Sequence, residues 1–195
     1  WYFALTREGQ PLVDPYNIFS YTFAAMAFAQ LHKATGEERY AEATRRTFQH
    51  IMERWDNPKA RWNKAHAGSR DMRALAPSMI LCNLLLEIEH LIEPQLVEES
   101  IEKALGDVMN DFYRPELGLV VEHMNADGTL SDTFDGRLIN PGHTLETMWF
   151  VMDLARRRGD EELIRKAVEI GLNTLEFGWD KEHGGIFYFM DRKGC

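Results

Sequence analysis

The sequence predicts an all-α fold, an α/α toroid or a piece of one, on three observations. A supersecondary unit recurs about every 60 residues, two kinds of helix alternate within it, and short strand-like runs punctuate it. "WYFALTREG" (1–9), "GLVVEHMNADG" (118–128) and "GIFYFMDRKG" (185–194) each read as an aromatic or β-branched hairpin arm that turns at a closing glycine. Those glycines lie 119 and 66 residues apart, and a weaker relative, "ARWNKAHAG" (60–68), falls between the first two.

Between successive hairpins lie two helical segments. The first of each pair is apolar nearly all round: "IFSYTFAAMAFAQL" (18–31), "ALAPSMILCNLLLEI" (74–88) and "LETMWFVMDLA" (145–155). Such helices are expected to be buried on most sides. The second is amphipathic, with apolar residues spaced by three and four: Tyr40, Thr44, Phe48, Ile51 and Trp55; Val97, Ile101, Leu105, Val108 and Phe112; Ile164, Val168, Gly171 and Leu175. Arg45, Arg46, Glu99, Lys103, Arg165 and Glu169 mark the wet faces. Alternating buried and half-buried helices make two concentric layers, the inner helices facing one another across an axis and the outer ones covering them. The helix punctuation agrees. Gly36 and Gly159 follow last turns, Arg156, Arg157 and Arg158 sit at an electronegative helix end, and Pro94 suits a first turn.

Composition narrows the function classes. The 195 residues are 45% apolar, enough for a sizeable core, and read as one domain or part of one spanning 1–195. A net charge of -9 without a Lys/Arg-rich run points away from nucleic acid and anionic membranes. No apolar run reaches the roughly 18 residues of a membrane helix. Two cysteines, Cys82 in an apolar helix and Cys195 at the end, suggest no disulfide framework, and a cytoplasmic location fits. With Trp1 first and Gly194-Cys195 last, both ends look cut.

Each hairpin leads into the start of an inner helix, so one rim should gather loops and helix N-termini, where binding groups are common. On that rim "INPGHTLETMWF" (139–150) stands out. Asn140 is a good N-cap and Pro141 a good first residue, which puts His143 in the first turn. The unpaired backbone N–H groups there disfavour an imidazolium, so His143 is expected to be neutral and able to accept a proton. Glu146 and Trp149 follow at intervals of three on the same face, the first able to polarise the imidazole or a substrate hydroxyl, the second to offer an apolar ring face. Taken alone, a histidine at a helix start serves local hydrogen bonding or packing more often than catalysis. One His and one Glu supply too few ligands for a metal. Arg70 and Arg73 precede an inner helix on the same rim and could bind a ligand's polar groups, although a solvated or ion-paired role is the commoner one for such arginines.

"GRLINPGHTLETMWFVMDLA" (136–155) resembles the NPGHxxExxWF signature of the N-acylglucosamine 2-epimerase family, and "GWDKEHGGIFYFMDRKG" (178–194) resembles its WDxxxGGxFYFxDxxG segment. "YFALTREGQPLV", "YNIFSYTFAAMAFAQLHKATGEERYAEAT" and "SRDMRALAPSMILCNLL" are similar to further blocks in the same order. The resemblance implies an (α/α)6 barrel, of which this chain holds about three helix pairs. It also implies reversible C2 epimerisation of N-acetylglucosamine to N-acetylmannosamine, through an enolate-like intermediate and histidine acid/base chemistry. No metal or nucleotide would enter the chemistry, ATP would be at most an allosteric effector, and a homodimer is expected. By motif position His143 would be one of two catalytic histidines, Glu146 its neighbour in the sugar site and Trp149 a substrate-binding candidate, while Arg70 and Arg73 join the substrate-binding candidates by their place on the rim and could there bind sugar hydroxyls. A second histidine, an arginine and a glutamate would lie outside this chain. The segment alone is therefore expected to be inactive, and an open half-toroid to expose apolar helix faces and to associate. Related aldose or cellobiose 2-epimerases and mannose isomerases are the nearest alternatives. An α/α-barrel glycoside hydrolase would need paired carboxylates, for which Asp132, Asp135 and Glu146 are the rim candidates. A non-catalytic helical interaction module is the remaining one.

Overall fold

The structure, a computed structural model, describes residues 1–13, 17–57, 59 and 71–194. The weaker hairpin relative at 60–68 and Arg70 lie outside the described residues. The fold is predominantly helical, with paired helices and, among the described residues, four separate two-stranded antiparallel sheets. The described chain gathers into two compact units, one from residues 1–66 and 83–99, the other from 67–82 and 100–195.

In the first unit, strands β1 (Ala4–Leu5) and β2 (Pro11–Val13) form a hairpin that turns at Gly9, whose φ of 81° suits glycine. Helix α1 (Phe19–Thr35) then packs on α2 (Glu38–Glu53). Gly36 ends α1 in the left-handed conformation, as its place in the sequence suggests. Small residues make the contact: Ala25 and Ala29 of α1 and Ala41 of α2 are fully buried, and the Thr44 hydroxyl reaches the Ala25 carbonyl at 3.5 Å. Phe48 and Ile51 complete the buried stripe of α2 as its periodicity predicts. The expectation that α1 is covered on most sides does not hold. Phe23 is 61% exposed and Leu31 is exposed too, because α1 spends only its Thr22, Ala25 and Ala29 face on α2. The second half of α3 (Leu75–Ile88), with Leu84, Leu85 and Ile88 buried, also belongs to this unit.

The second unit holds the first half of α3, where Leu75, Met79, Ile80, Leu81 and Cys82 are all buried. This helix fits the all-round apolar reading. Helix α4 (Pro94–Gly106) starts at the expected proline, and its stripe of Ile101, Leu105, Val108 and Phe112 is buried. From Asp107 to Phe112 the helix widens into a π-helical turn. Strand β4 (Tyr113–Arg114) pairs with β5 (Leu119–Val120), and β6 (His123–Asn125) pairs with β3 (Met72–Ala74) in the register Met72 to Asn125 and Ala74 to His123. A short helix, α5 (Phe134–Arg137), is followed by β7 (Leu138–Ile139), which pairs with β8 (Met190–Asp191). The run at 118–128 is therefore split between two sheets. Of the run at 185–194 only Met190 and Asp191 form a strand, while Ile186 makes one bridge to Trp179.

Helices α6 (Pro141–Arg158) and α7 (Glu161–Gly178) form a second helical hairpin around Gly159, which again takes the left-handed cap, and Asp160 caps α7 by accepting from Leu163 N–H at 2.9 Å. The buried face of α7 is not the one its apolar spacing predicts. The face of α7 that is buried is Ala167, Ile170, Thr174 and Gly178, whereas Val168 (43%) and Leu172 (61%) are exposed, as is Leu175. The small side chains allow α7 to approach α6 closely, and close approach wins over the size of any one apolar residue. A methyl built at Gly178 would lie 2.7 Å from Cβ and Cγ of Pro141, so glycine is required where the end of α7 meets the start of α6.

Candidate functional site

The site is built at the first turn of α6. Asn140 is extended, and its Oδ1 accepts from the His143 backbone N–H at 3.2 Å, satisfying one of the free donors of the helix. Pro141 occupies the first position, where its missing N–H loses nothing. Ile139 pairs with Met190, and Gly178 seats on Pro141, so the chain is held just before the turn and at its start. The Thr147 hydroxyl donates to the His143 carbonyl at 2.6 Å one turn on. These contacts fix His143 with its side chain half-exposed.

The residue the ring meets is Glu122. Its carboxylate oxygens lie 3.1 and 3.2 Å from His143 Nδ1, and Glu122 itself is 6% exposed. Glu122 sits in the link between β5 and β6. The N–H of Val121 donates to the Phe112 carbonyl at 3.0 Å, and the Glu122 carbonyl accepts from Leu75 N–H at 2.9 Å. The carboxylate is thus delivered from a backbone fixed on both sides. Glu122 was not singled out in the sequence. The available signal was a lone acid inside the apolar run "GLVVEHM", where a buried carboxylate demands a partner.

The electrostatics at His143 run opposite to the direction expected from the helix terminus. The hydrogen bond that Glu122 accepts from the ring, assisted by the charges of Glu122 and Glu146, holds the imidazole above its usual range, against the opposing effect of partial burial. A carboxylate in direct contact outweighs the partial positive charge of a helix N-terminus, which is worth a fraction of a unit charge spread over several N–H groups.

Glu146 and Trp149 lie on the face of α6 that carries His143, and both are exposed, with the Trp149 ring 5.3 Å from that of Phe150. Arg73 is engaged elsewhere: from β3 it reaches Asp107 at 3.3 Å and Asp111 at 2.5 Å on the π-helical turn, with its guanidinium 5.7 Å from the Phe112 ring centroid. Asp107 also accepts from Ser78 at 2.7 Å. No interaction joins Arg73 to His143 among the described residues. Asp132 is tied to Lys193 at 2.8 Å and Arg192 at 3.3 Å, and the Lys193 hydrogen bond and charge lower its pKa. It makes no pair with Glu146. Among the described residues no three metal-ligating side chains come together, and no helix is long and apolar enough to cross a membrane.

Helical hairpins with short strand pairs at their ends, and an imidazole locked to a buried carboxylate at a helix start, define an α/α-type protein with a group suited to proton transfer. The chain belongs to the N-acylglucosamine 2-epimerase family, whose model, also described as GlcNAc 2-epimerase, matches residues 1–195. It is 35% identical over 199 residues to the N-acylglucosamine 2-epimerase of Mus musculus, covering 98% of this chain and 46% of that protein. Against the Homo sapiens N-acylglucosamine 2-epimerase the identity is 32%, over 97% of this chain and 45% of that one. A mannose-6-phosphate isomerase of Rhizobium meliloti (strain 1021) is 26% identical over 86% of this chain and 44% of its own length. The chain spans about half the length of the relatives it matches. Among solved structures it is similar to a sugar epimerase from a ruminal bacterium (TM-score 0.73, 18% identity, 95% of this chain and 50% of that one). It is also similar to the cellobiose 2-epimerase of Bacillus thermoamylovorans B4167 (TM-score 0.74, 14% identity, 93% and 52%). At these identities the likeness speaks for the fold alone.

Proposed function

We propose that this chain supplies one of the two proton-transfer faces of a sugar 2-epimerase acting on N-acylated glucosamine, with N-acetylglucosamine and N-acetylmannosamine as the interconverted pair. The observation that carries the reading is His143, fixed at the start of α6 and held against buried Glu122, in a chain of this family. In the open-chain aldose the C2 proton is acidified by the C1 carbonyl. His143 takes that proton, the C2–H electron pair moves into an enolate, and an acid on the opposite face, contributed from outside this chain, returns a proton to C2. Reversal exchanges the two roles. Glu146 and Trp149, exposed on the same helix face, are the groups proposed to meet the sugar. The proton transfers call for no metal and no nucleotide.

The kinship with a mannose-6-phosphate isomerase supports a second reading, in which an aldose with a C2 hydroxyl forms an enediolate that takes its proton at C1 while the O2 proton moves to O1, leaving a C2 carbonyl and so a ketose. Proton NMR separates the two. A protein of the relatives' full length that carries this segment is incubated with N-acetylglucosamine in deuterium oxide. Exchange at C2 with formation of N-acetylmannosamine is expected, together with a loss of two orders of magnitude or more, on the order of the usual general-acid/base contribution, in His143→Ala. A ketose product from mannose selects the isomerase. No C2 exchange with either sugar refutes both.

A further inference from the structure

We infer that Glu122 is a positioning residue that clamps His143 as the Nδ1–H tautomer and so makes Nε2 the atom that exchanges protons with the sugar. The inference rests on the proton-transfer role proposed for His143, and its geometry stands apart from it.

An ionised carboxylate only accepts hydrogen bonds, so the His143 nitrogen 3.1 and 3.2 Å from the Glu122 oxygens must be the one that carries a proton. The neutral ring is then Nδ1–H, the opposite of what free imidazole side chains favour, and the lone pair falls on Nε2. Glu122 is 6% exposed while the His143 side chain is 40% exposed, so the ring turns Nδ1 to the interior and leaves its other edge to the open side, along which Glu146 and Trp149 also lie. His143 is the one hydrogen-bond partner of the Glu122 carboxylate among the described residues. A buried charge left unpaired is strongly unfavourable, and among the described residues that ring is what pairs this carboxylate. The pairing is also rigid at both ends. Val121 N–H and the Glu122 carbonyl are tied to Phe112 and Leu75, and His143 is tied to Asn140 and Thr147. An exposed ion pair between flexible side chains has no such constraint. The charged groups acting on the ring are Glu122 from the β5–β6 link and Glu146 from α6 itself.

The test has two parts. Long-range proton–nitrogen NMR of the uniformly labelled chain, with the His143 ring assigned through His143→Gln, reads the tautomer without any substrate. Above its midpoint the wild-type ring should carry its proton on Nδ1. Glu122→Leu should return it to the Nε2–H form with a lower midpoint, and Glu122→Gln should keep Nδ1–H, now donating to the amide oxygen, but also titrate lower. In the protein of full family length, Glu122→Gln should lower kcat for C2 exchange on the order of 10- to 100-fold, the usual loss when the partner that orients a functional imidazole is changed. KM should be unchanged and the acidic limb of the pH profile should move to lower pH. A wild-type ring protonated on Nε2 overturns the proposal, as does a folded Glu122→Gln protein with wild-type kcat and pH profile. If Glu122→Leu does not fold, the wild-type tautomer and Glu122→Gln decide the matter. Absence of C2 exchange in the wild type refutes the epimerase reading, while the ring nitrogens still report whether the clamp exists.

Discussion

Two glycines on α7 should respond to alanine with opposite signs. At Gly178 the new methyl would lie 2.7 Å from Cβ and Cγ of Pro141, and ordinary contact begins near 3.4 Å, so the end of α7 or the start of α6 must move by about 0.7 Å. The obstacle is a proline ring rather than the tip of a flexible side chain, and it cannot rotate away. Overpacking of this kind costs about 1–3 kcal/mol, and the helix-propensity gain that offsets it is small at the last residue of a helix. At Gly171, seven residues earlier on the same helix, the nearest atom to such a methyl is Leu145 Cδ2 at 4.0 Å. There only the propensity gain remains, about 1 kcal/mol in favour of alanine. Urea unfolding of both variants, with the slope checked for constancy, measures the two effects. Gly178→Ala should shift the midpoint down and Gly171→Ala should shift it up. Equal losses at both positions would show that the close approach of α7 to α6 is not set by these residues. A stable Gly178→Ala protein would remove the role given to the Pro141 contact.

Three further outcomes follow from the same structure. Asn140→Ala removes the acceptor for His143 N–H and should cost about 1 kcal/mol of stability in the same urea assay; no change would mean that water replaces the cap. The His143–Glu122 pair raises the imidazole pKa, so its contribution to stability is present below the ordinary histidine value and is lost as pH rises through the raised one. Compared with His143→Gln, wild type should show its surplus between the carboxylate range and that point, fading at higher pH; a surplus that grows with pH contradicts the pairing. Cys82 is fully buried, and burial, followed by the charge of Asp107, pushes its thiol up to about 12. Iodoacetamide should leave Cys82 unmodified in the native protein and label it in urea; native labelling detected by peptide mass mapping would contradict the packing of α3.

Features written within one turn of chain were legible in the sequence. The Asn140–Pro141 start of α6, the Gly36 and Gly159 caps and the α4 stripe all appear where local rules put them. What the sequence concealed depends on residues far apart. Glu122 is 21 positions from His143 and reaches it only because β6 pairs with β3 and the link before it is pinned to Leu75 and Phe112. Arg73 looks like any rim arginine until Asp107 and Asp111 are seen beside it. In α7 hydrophobicity points to the Val168 and Leu175 face, yet burial follows Ala167, Thr174 and Gly178, since interhelical distance is set by the smallest side chains at the contact. The helix terminus by itself lowers the affinity of His143 for a proton, while the carboxylate of Glu122, which the local sequence does not show, raises it and prevails.

The strand pairs have a consequence for the order in which the chain assembles. α1 with α2, and α6 with α7, are neighbours in sequence joined by tight turns, and such local contacts form early and fast. The β3–β6 and β7–β8 pairs instead close loops of roughly fifty residues with only two or three residues of strand each. Little ladder energy opposes that closure entropy, so these clasps should form last and open first, with Arg192 N–H, bonded to the Arg137 carbonyl, among the faster exchanging of the bonded amides. The imidazole and its carboxylate are brought together by these late contacts. A molecule that has its helical hairpins but not its clasps would look folded by circular dichroism and have no chemistry.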